Sequence, residues 1–185
     1  MGKELIFRRY RYIILIFIGM LLGTALINIL IKMGVSTIDF LGSDYLAVYE
    51  TVTVSGSMVW KYVIKARLKW FVFLAMGGIT KFSILIFSLF VIGVGISSGA
   101  LISASVTKYG MWGILVFVIS IFPQFVLYAI SFVIILKMFG NDRAVFKTKH
   151  KVILFFAAVV ALVAGTYLEA LINPILLRKL YILMY

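Results

Sequence analysis

Long apolar stretches separated by short charged segments dominate the chain. The first reads IILIFIGMLLGTALINILI and follows the arginine-rich segment FRRYRY, and others run through residues 70–106, 112–136 and 152–172. Several reach the roughly 18 apolar positions that mark a membrane-spanning helix. The pattern therefore predicts an all-α, polytopic membrane protein with interfacial amphipathic helices, folded as one integral-membrane domain over residues 1–185.

Residues 70–106 are too long for one span and short for two full ones. A glycine pair and a lysine interrupt them, namely Gly77, Gly78 and Lys81. A break at this point predicts two helices, with Lys81 in a tight turn from which it reaches the cytoplasmic headgroups. One tilted or broken span over about 72–100 is the alternative.

The positions of the basic residues favour two helices. Lys and Arg accumulate in cytoplasmic loops, so the segment FRRYRY places the N-terminus in the cytoplasm. The most basic loop is 137–151, and only two crossings within 70–106 put it on the same side. Segment 34–60 has three acidic residues and no basic one, which predicts an external position. The five predicted spans are about 12–32, 66–80, 82–106, 112–136 and 152–172.

Two further segments have amphipathic patterns. Lys61, Lys65 and Lys69 recur at i, i+4 and i+8 and share one helix face, which predicts an interfacial helix that leads into the bilayer. The C-terminal ILLRKLYILMY predicts another interfacial helix. Asn173-Pro174 lies between this tail and the last span, and a proline at that point predicts that the span stops or bends.

The composition excludes several kinds of chemistry. The chain has no cysteine and a single histidine, so disulfides, thiolate metal sites and histidine-based catalytic constellations are excluded. No pair of aspartates falls within the predicted spans, and no HExxH motif occurs. We therefore expect no enzyme activity and no cofactor or metal. The net charge of +12 is explained by membrane orientation and attraction to anionic lipid, and we expect no nucleic-acid partner.

Glu169 is the only acidic residue within a predicted span. A charge at that depth is costly unless it is paired or kept neutral. We expect Glu169 to be hydrogen-bonded to another helix or paired with a lysine, and proton or ion translocation is the alternative. Small residues of the third span also form a face, which predicts helix packing or, alternatively, a polar conduit. These are Gly95, Ser97, Ser98, Gly99, Ser103 and Ser105.

Pro123 and Gln124 interrupt the fourth span. Proline removes a backbone donor, which deprives the carbonyl group of Ile119 of its helical hydrogen bond. Such a break is tolerated when neighbouring groups satisfy what it frees. We therefore predict a kinked span in which Gln124 faces the bundle interior and not the lipid.

The order of these features resembles the stage II sporulation protein M family. The block GVGISSGALISASVTKYGMWGILVFVISIFPQFVLYAISFVII carries a glycine pair four apart, a Gly-x-x-Gly turn and a Pro-Gln step. The segment AGTYLEALINP resembles the final span of the family. The resemblance covers about residues 66–178, and its motif residues are Gly95, Gly99, Gly110, Gly113, Pro123, Gln124, Gly165, Glu169 and Pro174.

This resemblance implies a five-span, non-catalytic protein of the bacterial cell membrane with a cytoplasmic N-terminus. Family members help to anchor cell-wall hydrolases during engulfment of the forespore, so the implied partners are peptidoglycan-degrading proteins. The N-terminal half matches only as one span and a short external segment, which leaves open the partner contacts made there. A small transporter or permease subunit is the alternative function. A homo-oligomer is also left open.

Overall fold

The computed structural model describes residues 2–34, 56–139 and 148–184, and the regular elements in these ranges are all helices. In chain order they are α1 (Gly2–Lys32), α2 (Gly56–Ile79), α3 (Ser83–Tyr109), α4 (Trp112–Ile121), α5 (Gln124–Phe139), α6 (Thr148–Tyr167), a π-helical turn (Leu168–Ile172) and α7 (Asn173–Met184). The all-α fold class is thus confirmed for this part of the chain. Most of the predicted external segment 34–60 and of the basic loop 137–151 lies outside the described residues.

Three helical segments are long and apolar enough to cross a membrane: Tyr10–Lys32, Ser83–Tyr109 and His150–Met184. Helices α4 and α5 qualify together as a fourth, with a bend of 47° between them. Helix α2 does not qualify, because three or more basic residues fall within every stretch of it that is long enough. These helices are typical of a membrane protein, and the count of five spans stays a prediction.

Helix α2 is continuous from Gly56 to Ile79, so the expected interfacial segment and the expected second span form one helix. Its buried residues lie towards its C-terminal end, at Phe71, Leu74, Gly77 and Gly78. The amide of Thr80 donates to the carbonyl oxygen of Gly77 at 3.1 Å, which closes the turn before α3. Lys81 is exposed in this turn, as predicted.

The chain forms two compact units. Unit 1 contains α1 together with Ser88–Phe117, and unit 2 contains α2, the beginning of α3, the end of α4 and all later helices. Each has its own packing: unit 1 is built on contact between two glycine-bearing helices, and unit 2 on the pairing of α5 with α6.

Helices α1 and α3 pack backbone against backbone in unit 1. Each contributes two glycines to what we call the glycine crossing: Gly19, Gly23, Gly95 and Gly99. A Cβ atom on Gly19 would lie 2.5 Å from the carbonyl oxygen of Ile92, and one on Gly99 would overlap the backbone of Met20. The small residues predicted to pack helices therefore set the closest approach in this unit.

The turn from α3 to α4 uses two glycines for different reasons. Gly110 has a φ of +58°, in the left-handed region that favours glycine. Gly113 lies at the start of α4 against the backbone of Ser105 and Val106, where a Cβ atom would overlap Ser105. The Gly-x-x-Gly motif thus lets the chain reverse tightly.

Helices α5 and α6 carry the core of unit 2. Ser131 donates to the carbonyl oxygen of Ala158 at 2.9 Å, and both residues are buried. Gly165 leaves room for the ring of Tyr128, which a Cβ atom would approach to 2.7 Å. Further apolar residues that are buried in this unit include Phe87, Ile135, Met138 and Leu162.

Helical structure continues through Asn173-Pro174, so the helix does not stop there, although a stop was one of the two outcomes that we predicted. The π-helical turn precedes it, and the amide of Asn173 donates to the carbonyl oxygen of Leu168, five residues earlier. Helix α7 begins at Asn173, so Pro174 is its second residue and follows directly on the π-helical turn.

The glycine crossing can be tested by comparing two glycines of α3. We expect Gly99→Ala to destabilise the fold by about 1–3 kcal/mol, because its Cβ has no space beside Met20. Gly93→Ala is the matched control, since nothing lies within 4 Å of a Cβ there and alanine favours helix. Thermal unfolding in detergent measures both, and equal melting temperatures for the two variants would refute the crossing.

Candidate functional site

The most polar constellation in unit 2 surrounds the carboxylate of Glu169. Arg67 of α2 donates from Nε to Oε2 at 3.0 Å and from Nη2 to Oε1 at 2.5 Å. Tyr128 of α5 donates its hydroxyl to Oε2 at 2.5 Å. We call Arg67, Tyr128 and Glu169 the carboxylate cluster. The fork of two parallel bonds is the arrangement in which guanidinium and carboxylate groups match best.

Three separate elements position this cluster. Glu169 lies in the π-helical turn, a rare geometry that is frequent at functional sites. The ring of Tyr128 packs on Gly165, one turn before Glu169, and this contact aims its hydroxyl at the carboxylate. The guanidinium carbon of Arg67 lies 5.3 Å from the centre of the Tyr128 ring, so the cation also contacts the aromatic face.

Glu169 is hydrogen-bonded to other helices, which is one of the two arrangements that we expected, and its charged partner is an arginine instead of a lysine. The ion pair is with Arg67, and Tyr128 supplies a third donor. The Arg67 side chain is 45% exposed and that of Glu169 only 19%, so the carboxylate is the more enclosed of the two. A carboxylate held by three donors from two other helices is suited to joining those helices.

A second contact joins α2 to α6 close to the carboxylate cluster. The indole nitrogen of Trp60 donates to the hydroxyl of Thr166 at 3.2 Å. Thr166 is fully buried and also donates to the carbonyl oxygen of Val163 at 2.7 Å. The two contacts together fix α2 against the end of the last apolar stretch.

The break between α4 and α5 forms a second polar group, which we call the amide cluster: Ser120, Gln124 and Asn173. The side-chain amide of Gln124 donates to the carbonyl oxygen of Ser120 at 2.5 Å, and that of Asn173 donates to the same oxygen at 2.8 Å. Gln124 is 5% exposed, and the adjoining helices are bent by 47°. The predicted kink and the interior position of Gln124 are both confirmed.

The carbonyl group that accepts these two hydrogen bonds is that of Ser120. It lies one residue after Ile119, whose carbonyl group we expected the proline to free. The side-chain oxygens of Gln124 and Asn173 have no hydrogen-bond partner among the described residues, although both residues are buried. The amide cluster therefore satisfies the carbonyl group of Ser120 and leaves two side-chain acceptors without a partner among the described residues.

The sequence-predicted residues do not form one site. Gly95, Gly99, Gly110 and Gly113 serve packing and turning in unit 1, where Ser105 is fully buried and its hydroxyl lacks a partner among the described residues. In unit 2, Gln124 and Glu169 belong to the two polar clusters, Gly165 supports Tyr128, and Pro174 lies in the first turn of α7. Pro123 forms the break before α5.

Sequence reasoning missed Arg67, Tyr128 and Asn173. A spacing signal was available for two of them, since Tyr128 lies four residues after Gln124 and Asn173 lies four residues after Glu169, and Arg67 had no such signal. Residues four apart share one helix face. Helix α5 thus has Gln124 and Tyr128 one turn apart, and the last helix has Glu169 and Asn173 one turn apart. In the structure Tyr128 bonds to Glu169, while Gln124 and Asn173 bond to the same carbonyl group.

Within the described residues, no group of three or more histidine, cysteine or acidic residues is placed to hold a metal ion. Comparisons of the chain with models of known protein families, with curated proteins and with solved structures found no match. The resemblance to the stage II sporulation protein M family therefore rests on the sequence motifs alone.

A double-mutant cycle tests the carboxylate cluster. We expect Glu169→Gln to lower the free energy of unfolding by about 1–3 kcal/mol, because it leaves the Arg67 charge without its partner. The double variant Arg67→Leu with Glu169→Gln should be less destabilised than the sum of the two single variants, since contacting residues are coupled. Denaturant or steric-trap unfolding in bicelles measures this, and strictly additive effects would contradict the pairing.

Proposed function

We propose that the protein is a non-catalytic, multi-pass scaffold of a bacterial cell membrane that holds partner proteins in place. The carboxylate cluster is the observation that carries this proposal. Glu169, the only acidic residue in a predicted span, accepts three hydrogen bonds within the chain, which suits a joint between helices better than a transport site. Large apolar side chains such as Phe17 and Leu21 are 61% and 72% exposed, as suits helices that face lipid or partner helices.

The proposed topology has five spans and a cytoplasmic N-terminus, with α2 as a short second span and the bent pair α4–α5 as the fourth. Two features support it. Lys81 and the basic loop 137–151 then lie on the same side as the N-terminal arginines, in agreement with the positive-inside rule. Helix α2 also lies along α6 through the contact of Trp60 with Thr166.

The proposed partners follow from the resemblance to the stage II sporulation protein M family. Under this proposal the protein binds cell-wall hydrolases at the outer face during engulfment of the forespore. The glycine motifs, the Pro-Gln step and the Glu169 segment support this assignment by their order along the chain.

A permease or channel subunit is the second candidate function. Transporters often place their sites where broken helices meet at mid-membrane. The break before α5 and the π-helical turn before α7 meet through Asn173 and Ser120, beside two unpaired amide oxygens. Ion flux through liposomes that is lost in Gln124→Leu would favour this candidate, and flux equal to that of empty liposomes would remove it.

Single-cysteine labelling tests the topology directly, because the natural chain has no cysteine. We expect Lys81→Cys and Val145→Cys to react with a membrane-impermeant maleimide only from the cytoplasmic side. Ser43→Cys is the control and should react only from outside. Labelling of positions 81 and 145 from opposite sides would refute the five-span arrangement.

Co-purification tests the scaffold. We expect the tagged protein, extracted from native membranes in mild detergent, to bring down at least one cell-wall hydrolase. An unrelated multi-pass protein with the same tag and expression level is the control. Recovery of the same proteins by both baits would contradict the proposal.

A further inference from the structure

Helix α2 carries three lysines on the side opposite to its packed face. Lys61, Lys65 and Lys69, which we call the lysine face, are all exposed. At about 100° per residue, they lie roughly 100–180° around the helix from Trp60, whose side chain contacts α6. The lysine face therefore points away from the rest of unit 2.

Two contacts fix how deep α2 lies beside the last apolar stretch. Trp60 bonds to Thr166, and the rings of Phe71 and Phe155 lie 5.8 Å apart between their centroids. Trp60 and Phe71 are 11 residues apart on α2, and Phe155 and Thr166 are 11 residues apart on α6. The two helices run in opposite directions. Residues 60–71 of α2 thus lie alongside residues 155–166 of α6.

In the proposed topology, in which α2 is the second span, this register sets the lysine face beside the predicted span 152–172. Counting inward from either contact sets Ile64 beside Leu162, which lies inside the predicted span 152–172. Lys65 follows directly, and the lysine face extends over about 12 Å of the helix axis. A lysine that faces lipid tails at this depth is costly unless a compensating group pairs with it.

The described residues supply no such group. The only ion pair among them joins Arg67 to Glu169. Exposed apolar side chains flank the lysine face on α2, among them Tyr62, Phe73 and Met76. A surface that is apolar and carries mid-membrane cations is complementary to an apolar helix that carries a carboxylate.

We propose that the lysine face is the docking surface for a partner protein whose membrane-spanning helix carries an aspartate or glutamate at mid-depth. This inference rests on the proposed scaffold function and specifies the chemistry of the partner. The partner helix covers α2, and its carboxylate pairs with Lys65 or a neighbouring lysine in a medium where the pair is only weakly screened.

A synthetic membrane-spanning peptide provides the test. The full-length protein is reconstituted in phosphatidylcholine vesicles with a fluorescent leucine-rich peptide that carries one central glutamate, and energy transfer to a dye at Ser57→Cys reports association. The control peptide has glutamine in place of glutamate. We expect the glutamate peptide to bind at least about tenfold more tightly, and we expect Lys61→Gln, Lys65→Gln and Lys69→Gln together to abolish the difference.

The matched control removes the same charge elsewhere, by Lys81→Gln, Arg178→Gln and Lys179→Gln, and should bind like the natural protein. If the triple lysine variant does not fold, Lys65→Gln alone replaces it. Equal binding of the two peptides, or no effect of the lysine substitutions, would overturn the proposal. So would lysine-dependent binding of phosphatidylglycerol without peptide binding, which would identify a headgroup site.

The two proposals fail separately. If native partners co-purify but the glutamate peptide does not discriminate, the scaffold holds its partners by another surface. If the peptide binds through the lysines but native membranes yield no partner, the docking surface is real and the scaffold function is wrong.

Discussion

The absence of water in a bilayer is the constraint on which unit 2 depends, because every backbone group freed by a helix break needs a partner within the protein. Pro123 creates such a break, and the carbonyl group of Ser120 takes side-chain donors from Gln124 and Asn173. One donor is local and the other comes from a helix more than 50 residues away along the chain. The bend is therefore also a joint that ties α4 and α5 to α7.

The same joint accounts for the register of the carboxylate cluster. Once Gln124 and Asn173 share an acceptor, the residues one turn further along each helix, Tyr128 and Glu169, face each other. The π-helical turn adds a residue to the last helix at this point, and Gly165 makes space for the tyrosine ring. Arg67 then completes the neutralisation of Glu169, and in doing so it joins α2 to the α5–α6 pair.

Local patterns allowed a large part of this to be predicted. The apolar stretches gave the helices, the Pro-Gln step gave the kink and the interior amide, and the small-residue spacing pointed to helix packing. The partners of Glu169 were not predictable in this way, because Arg67 is 102 residues away and Tyr128 is 41 residues away. The helix also continues past Pro174, where we expected a stop or a bend, and the π-helical turn before it and its C-cap carry two residues with distant partners, Glu169 and Asn173.

The arginine and the lysines of α2 lie in different environments. Arg67 faces the bundle, where a carboxylate, a tyrosine hydroxyl and an aromatic ring surround its guanidinium. The lysines of the same helix face outward, and no described carboxylate pairs with them. A helix that only needed to stay in the bilayer would carry apolar residues at those positions, as α1 and α3 do on their exposed faces. Three exposed cations beside a core that neutralises its own charge are the basis of the proposed docking surface, and under that proposal α2 is the element through which unit 2 binds its partner.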